Sequence, residues 1–321
     1  MEKITKASKS LGLIADKTSE FYIEEEEFKE ELVEGNELKF KKFDNIFLPG
    51  LVRNLSSIKS LELRPDDTFV VGYPKSGTTW VEEIVWLLQN NLDFQKSLKE
   101  DHFERVYFID MGLSKGKIKH FKEMNTTRVF KSHLPIKHLP DNVEKLSKIV
   151  YVVRNPKDML VSYFHFSRAL LLSNFSGSFD LFVRHFFNNK LWYGSWWEQV
   201  KEYKNIPHVH FVQYEELLER PIETIESLAG FLGKSYSIED IEKLINFTSI
   251  DKMKTYSSFN FEGVFRDEEN VSLKFNFFRK GQIGNWVEYF NEEQSKKVDQ
   301  VVNEHFQGVI DFKFFPSKNE I

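Results

Sequence analysis

The chain has 321 residues, of which 41% are hydrophobic and 29% charged, as in a globular protein with material for one large core. Its formal net charge of −5 offers no global positive field for nucleic acid, so an anionic ligand needs a local cluster of basic groups. The chain contains no cysteine, which excludes disulfides, thiolate metal sites and a cysteine nucleophile.

The N-terminal segment is highly charged, and no apolar run follows it that would indicate a signal peptide or approach the ~18 residues of a membrane helix. We therefore expect a cytoplasmic protein whose partners include neither nucleic acid nor membrane. The acidic residues between 24 and 34 predict a solvated helix and tail over residues 1–45, ahead of a single domain over 46–321.

Short apolar strands alternate with helices from residue 68 onward. The predicted strands cover residues 68–72, 128–131, 148–153 and 208–213, and the predicted helices cover 78–90, 156–172, 223–232 and 292–303. Unbroken apolar strands alternating with helices predict an α/β domain whose central parallel sheet is flanked by helices on both faces. Ligands of such sheets bind at the loops beyond the carboxyl ends of the strands.

The first of these loops, at 73–80, reads Tyr-Pro-Lys-Ser-Gly-Thr-Thr-Trp and joins a strand to a helix. A helix N-terminus presents unpaired N–H groups to an anion, Lys75 adds a full charge, and Gly77 lets the backbone approach closely. The order differs from a Walker A motif, because Lys75 precedes Gly77 and the first glycine is missing. The octet therefore predicts a phosphate-binding loop and disfavours a nucleotide-hydrolysing enzyme or a phosphotransferase.

Two further basic segments follow. Arg154 to Asp158 leave a strand and open a helix that carries Ser162, and residues 279–281 read Arg-Lys-Gly. Taken alone, the first is also consistent with an ordinary capped helix, and the second with a solvated basic loop. Two basic strand-to-helix junctions in one sheet favour a ligand with two separate phosphate-like groups.

Together the three segments resemble the cytosolic sulfotransferase family, in order and in spacing, over roughly residues 40–310. The octet matches that family's phosphosulfate-binding loop, the Arg154 segment its 3′-phosphate segment, and residues 279–281 its C-terminal phosphate loop. The resemblance implies a P-loop-like fold that binds 3′-phosphoadenosine 5′-phosphosulfate (PAPS) and releases PAP. It also implies transfer of the sulfuryl group to a small hydroxyl acceptor without a metal.

The resemblance assigns a role to each matching position in the nucleotide site. These are Lys75, Ser76, Gly77, Thr78 and Thr79 for the 5′-phosphosulfate, Trp80, Tyr214 and Thr248 for the adenine, Arg154, Ser162, Arg279, Lys280 and Gly281 for the 3′-phosphate, and Met253 and Phe277 at the border.

It also implies that His133 is the base that takes a proton from the acceptor hydroxyl, although a lone histidine is more often structural. Lys75 and Lys131 would offset the negative charge that develops during transfer, and Ser162 would restrain Lys75 until an acceptor binds. The acceptor pocket would be lined by Phe108, Lys131, His133 and Phe166. Such aromatic walls suit phenols, steroids, retinoids or other flat alcohols.

The chain departs from the family pattern in two places. Asn285 stands where the family usually has aspartate, and residues 287–294 do not match the usual dimerisation segment. A homodimer of another kind stays open. Two other functions also stay open: a dehydratase that sulfonates an allylic alcohol and eliminates sulfate, and a non-catalytic carrier, against which Lys75 and His133 argue.

Overall fold

The computed structural model describes residues 29–36, 38–50, 52, 54–170, 173, 175–259, 281–310 and 312. Phe277, Arg279 and Lys280 lie outside the described residues. The strands are β1 (Lys29–Glu31), β2 (Phe40–Phe43), β3 (Ile46–Leu48), β4 (Thr68–Val71), β5 (Val106–Phe108), β6 (Val129–Ser132), β7 (Lys148–Val153) and β8 (Val209–Gln213).

The helices differ widely in length, from a single turn to four. They are α1 (Ser56–Lys59), α2 (Thr78–Gln89), α3 (Phe94–Lys99), α4 (His102–Arg105), α5 (Lys115–Glu123), α6 (Val143–Leu146), α7 (Pro156–Ala169), α8 (Phe179–Phe187), α9 (Trp196–Lys204), α10 (Tyr214–Glu219), α11 (Pro221–Leu232), α12 (Ile238–Phe247), α13 (Ile250–Met253) and α14 (Glu292–Phe306). Among the described residues, no helix combines the length and the apolar character needed to cross a membrane.

The central sheet is parallel, with strand order β5-β6-β4-β7-β8. Strand β4 lies in the middle, where Val70 pairs in register with Lys131 of β6 and Val150 of β7. Because all five strands run the same way, the loops that follow them open at one edge of the sheet. That edge therefore collects the octet and the segments that begin at His133, Arg154 and Tyr214.

Each face of the sheet packs on its own hydrophobic core. Phe69 and Tyr151 point to the core that contains α7, α8 and α9, whereas Val70 and Val150 point to the core that contains α2, α11 and α12. A strand buried on both faces has no side that faces water, which is why the predicted strands at 68–72 and 148–153 read as nearly continuous apolar runs. The predicted α/β fold with a doubly covered parallel sheet is confirmed.

The predicted elements agree with the observed ones to within a few residues. The last turn of α14 extends beyond the expected end because Val302 and Phe306 are buried against the core. Helix α11 ends where predicted, with Gly233 as a left-handed cap. Strand β5 was not predicted, since three residues are too few for an alternation pattern.

The expectation of a helix in the charged N-terminal segment is wrong for residues 29–31 and 40–43, which form strands. β1, β2 and β3 make an antiparallel sheet. The side chains of Glu31 and Lys42 form an ion pair between β1 and β2 at 3.4 Å. The opposite charges thus interact across strands instead of along a helix. Phe40 is buried, edge-on to Trp192 at 5.3 Å, and this burial holds the sheet on the domain. The division of the chain near residue 45 stays a prediction.

Candidate active site

The octet forms a tight turn between β4 and α2. Lys75 has φ of 70° and Gly77 has φ of 97°, so two left-handed residues precede the first turn of α2 at Thr78. A Cβ at Gly77 would lie 2.5 Å from Cδ2 of Tyr214, so the position needs glycine for packing as well as for conformation. The turn places the N-terminus of α2, where the first N–H groups of a helix lack intrahelical acceptors, directly after β4 at the carboxyl edge of the sheet.

Arg154 joins the two ends of the candidate nucleotide site. Its guanidinium lies 4.3 Å from the ring centroid of Tyr214 and donates to the carbonyl oxygens of Lys75 at 3.3 Å and Gln282 at 3.4 Å. The structure therefore brings together the octet, the Arg154 segment and the first described residues of the C-terminal loop. Gly281, with φ of 65°, packs against Ile250.

Three buried hydrogen-bond donors in these loops have no acceptor among the described residues. They are the hydroxyl of Ser76, Nε1 of Trp80 and Nε of Arg154. A buried donor without a partner costs free energy, so such groups fit a site that a polar ligand completes. Trp80 packs edge-on to Tyr214 at 5.6 Å, which places an aromatic pair beside the loop.

Helix α7 holds the C-terminal loop in place. The carboxylate of Asp158, in its first turn, accepts hydrogen bonds from the backbone N–H groups of Gly284 at 2.7 Å and Trp286 at 3.0 Å. Lys157 pairs with Asp299 of α14 at 2.7 Å. A carboxylate from α7 therefore anchors both neighbours of Asn285, the position that departs from the family pattern.

His133 follows β6 directly, at the same edge of the sheet. Its Nδ1 lies 2.6 Å from the carbonyl oxygen of Gly72, which only accepts, so Nδ1 carries the proton and Nε2 has the lone pair. Desolvation of the ring, followed by the charge of Lys131, lowers the pKa of His133 to about 3. The imidazole is therefore neutral at pH 7 and able to accept a proton at Nε2.

Asp110, which sequence analysis did not single out, fixes the backbone of His133. Its carboxyl group accepts hydrogen bonds from the hydroxyl of Ser132 at 2.5 Å and from the N–H of His133 at 2.7 Å. Burial raises the pKa of Asp110 to about 7, although these hydrogen bonds favour its ionised form. A carboxylate two residues after Phe108, at the end of an apolar run, was the available signal.

Two lysines lie beside the two phenylalanines expected in the acceptor pocket. Nζ of Lys75 is 4.6 Å from the ring centroid of Phe166, and Nζ of Lys131 is 5.7 Å from that of Phe108. The Phe108 ring also meets His133 edge-on at 5.8 Å. The structure thus places both the predicted base and one predicted cation beside one predicted pocket wall, Phe108.

Three other predicted residues lie on or at the ends of helices that flank the sheet. Ser162 is on α7, and its restraint of Lys75 stays a prediction. Thr248 caps α12 and donates its hydroxyl to the carbonyl of Leu244 at 2.9 Å. Met253 is fully buried in the core that also contains Trp80. A contact of Thr248 or Met253 with the nucleotide stays a prediction.

Residues 65–309 match the family of sulfotransferase domains. The chain belongs to the sulfotransferase family. Bovine sulfotransferase 1E1 is 35% identical to it over 266 residues, which cover 80% of this chain and 89% of that protein. The predictions of the family, of the fold and of a PAPS-dependent sulfotransferase are confirmed.

Solved structures of similar fold support the same assignment for this sulfotransferase. Retinol dehydratase in complex with retinol and PAP superposes with a TM-score of 0.70 at 27% identity, over 80% of this chain and 86% of that one. Mouse sulfotransferase SULT7A1 complexed with PAP superposes with a TM-score of 0.67 at 28% identity, over 83% and 93% of the two chains. Both relatives were solved as PAP complexes.

Proposed function

We propose that this sulfotransferase transfers the sulfuryl group of PAPS to the hydroxyl of a small, flat, apolar acceptor, with His133 as the general base. The observation that carries the proposal is the hydrogen bond from Nδ1 of His133 to the carbonyl of Gly72. It leaves Nε2 deprotonated at the edge of the sheet where the phosphate loop begins.

The nucleotide site fits a ligand with phosphates at both ends. Residues 75–79 would hold the 5′-phosphosulfate at the N-terminus of α2, where backbone N–H groups favour an anion. Arg154, already bridging the two loops, would bind the 3′-phosphate with Ser162 and the basic residues 279–280. Trp80 and Tyr214 would contact the adenine. PAPS supplies an activated sulfuryl group on its phosphate.

The transfer needs a proton acceptor at the attacking oxygen. Nε2 of His133 takes the hydroxyl proton as the oxygen–sulfur bond forms and the bond from sulfur to the phosphate oxygen breaks. A neutral imidazole is the required starting state, and the lowered pKa of His133 ensures it across the physiological range.

Negative charge moves from the sulfuryl oxygens to the leaving phosphate during the step. Lys131, which lies beside Phe108, and Lys75, which lies beside Phe166, would stabilise that charge electrostatically. Their ammonium groups would take the part that Mg²⁺ has in phosphoryl transfer. The metal-free reaction and the cytoplasmic location stay predictions.

The first test is transfer from radiolabelled PAPS to a panel of phenols, steroids and primary alcohols. We expect labelled product with at least one flat alcohol, and a loss of kcat of at least about 100-fold in His133→Ala with unchanged PAP affinity. His120→Ala, an exposed histidine on α5, is the matched control. Near-normal kcat in His133→Ala would show that another group is the base.

The likeness to retinol dehydratase favours one second candidate, a dehydratase of an allylic alcohol. Mass spectrometry of the product separates the two functions, since sulfation adds a sulfuryl group and dehydration removes water. If PAP binds tightly but no acceptor in the panel reacts, the carrier function is the better description.

A further inference from the structure

A chain of buried charges leads from the proposed active site into the protein interior. Glu82 and Glu83 are consecutive residues of α2, and both are fully buried. Glu82 pairs with Lys131 at 2.9 Å through Oε1 and with His102 at 2.8 Å through Oε2. Glu83 contacts the other ring nitrogen of His102 at 3.2 Å and Arg105 at 2.9 Å. The mechanism proposed above uses only Lys131 of this set.

The geometry defines the charge of His102. Both ring nitrogens face carboxylate oxygens, and an ionised carboxylate only accepts hydrogen bonds, so both nitrogens must donate. That requires the imidazolium form. Burial alone would raise the pKa of Glu82, but Lys131 and His102 outweigh it and lower the pKa to about 2. The pKa of Glu83 is lowered in the same way by His102 and Arg105.

The five groups together carry one net positive charge, from two carboxylates against the cations of His102, Arg105 and Lys131. Buried ion pairs contribute little to stability compared with apolar residues of the same volume. An exposed lysine would provide the same charge without this chain. Stability alone therefore does not account for this network of buried charges. Its further effect is to fix the position of the Lys131 ammonium.

Lys131 has four rotatable bonds, and its ammonium is held from two directions. Oε1 of Glu82 lies 2.9 Å from Nζ, and the hydroxyl of Thr79 accepts a hydrogen bond from Nζ at 3.2 Å. Thr79 belongs to the phosphate loop, so the position of the Lys131 ammonium is fixed relative to that loop. A cation fixed before substrate binds needs no reorganisation during the reaction.

We propose that Glu82 is a positioning residue for Lys131, and that His102, as an imidazolium, holds Glu82 in the orientation that does this. The inference rests on the proposed role of Lys131 in sulfuryl transfer. His102 touches no reacting atom in this arrangement and acts only through Glu82.

Two amide substitutions of His102 separate positioning from simple structural support. In His102→Gln the amide nitrogen takes the place of Nε2 and donates to Glu82, whereas in His102→Asn it takes the place of Nδ1 and donates to Glu83. We expect His102→Asn to lose roughly 10- to 100-fold in kcat, the loss typical of a misplaced catalytic group, and His102→Gln to lose several-fold less. The KM for acceptor and the Kd for PAP should stay within about twofold in both. Equal kcat values, or a better His102→Asn, would overturn the proposal.

If both variants fail to fold, as judged by circular dichroism, a double-mutant cycle decides. Glu82→Gln keeps the volume of the side chain and removes its charge. We expect it to lower kcat at least about tenfold in the wild-type background and to have no further effect in Lys131→Met, because the two residues act as a unit. The same loss in both backgrounds would contradict a role through Lys131.

A measurement that does not depend on turnover distinguishes the positioning of Lys131 from the proposed sulfuryl transfer. A fixed, ion-paired ammonium exchanges its protons slowly, so the ¹H–¹⁵N signal of Lys131 should be visible in ¹⁵N-lysine spectra at low temperature. It should persist in His102→Gln and disappear in His102→Asn, with Lys157, paired to Asp299, as the internal reference. If wild type transfers no sulfuryl group but shows this pattern, the proposed function falls and the positioning stands. If neither substitution changes the Lys131 signal, the proposal that His102 and Glu82 position Lys131 is wrong.

Discussion

A single carbonyl oxygen, that of Gly72, decides which nitrogen of His133 is available for chemistry. It lies 2.6 Å from Nδ1 and therefore binds the proton-bearing side of the ring. Asp110 fixes the peptide of the same residue from the other side. The proposed base is thus oriented by one backbone group just after β4 and one carboxyl group after β5, and neither contact was visible as a motif.

The depressed pKa of His133 makes a prediction about stability against pH. The unfolded chain takes up a proton near pH 6.5, whereas the folded chain does so only near pH 3. The free energy of unfolding should therefore fall as pH drops below 6.5, by up to about 1.4 kcal/mol per pH unit from this group. Urea titrations at pH 7, 6 and 5 measure the effect in wild type and His133→Gln. If wild type and His133→Gln lose the same free energy of unfolding as pH falls, His133 is not the source of this pH dependence.

Gly77 is a second residue whose identity is set by geometry. In Gly77→Ala the new Cβ would meet Tyr214, and φ of 97° is unfavourable for alanine. We expect a loss of about 1–3 kcal/mol in stability and at least tenfold in PAP affinity, measured by urea titration and calorimetry. The matched control is Gly230→Ala in α11, where a Cβ would have open space and alanine favours the helix. Full PAP affinity in Gly77→Ala would exclude a close approach of the nucleotide there.

At the scale of elements, helix α7 does more than follow Arg154, the residue proposed to bind the 3′-phosphate. Its first turn fastens the C-terminal loop through Asp158 and fastens α14 through Lys157, whose ammonium also lies 4.2 Å from the ring of Trp286. One helix start therefore positions Arg154 and the segment that carries Gln282 against each other. The chain keeps this anchor although it has Asn285 where the family usually has aspartate.

Replacing that anchor should loosen the loop without unfolding the sheet. In Asp158→Asn one acceptor becomes an amide nitrogen that faces a backbone N–H, which removes a charge-assisted hydrogen bond worth about 1–3 kcal/mol. We expect PAP affinity to fall several-fold to about 100-fold. Calorimetry measures it, and Asp240→Asn on α12, whose side chain is 42% exposed, is the control. Unchanged affinity would show that the loop binds nucleotide without the Asp158 contacts.

At the scale of the molecule, the sequence was sufficient for the α/β class, for four of the five parallel strands and for the loops that meet at their ends. It was insufficient for the order of the strands, because sheet order depends on pairing between distant segments. It also missed the charges inside α2. Nothing in the sequence marks Glu82 and Glu83 as buried, and only the positions of His102, Arg105 and Lys131 in space make their burial possible.

Nucleotide binding should stabilise the whole domain, because the site is built from loops at both ends of it. At PAP concentrations about 100 times Kd, linkage adds about 2.7 kcal/mol to the free energy of unfolding. For a domain of this size that corresponds to a rise of roughly 4 to 5 °C in Tm. Differential scanning fluorimetry with PAP and with AMP as control measures it. A Tm that responds equally to both would mean that the 3′-phosphate is not recognised.

The reach of Arg154 also has a consequence for synthesis of the chain. Its guanidinium contacts residues 79 positions earlier and 128 positions later, so no contiguous half of the polypeptide contains all three segments. Such contacts between distant segments form late, because loop closure must precede them. A chain emerging from the ribosome N-terminus first can complete the parallel sheet well before it exposes Gln282. During that interval the nascent enzyme would have its sheet, without the part of the core that α14 completes, and would still be unable to hold its nucleotide.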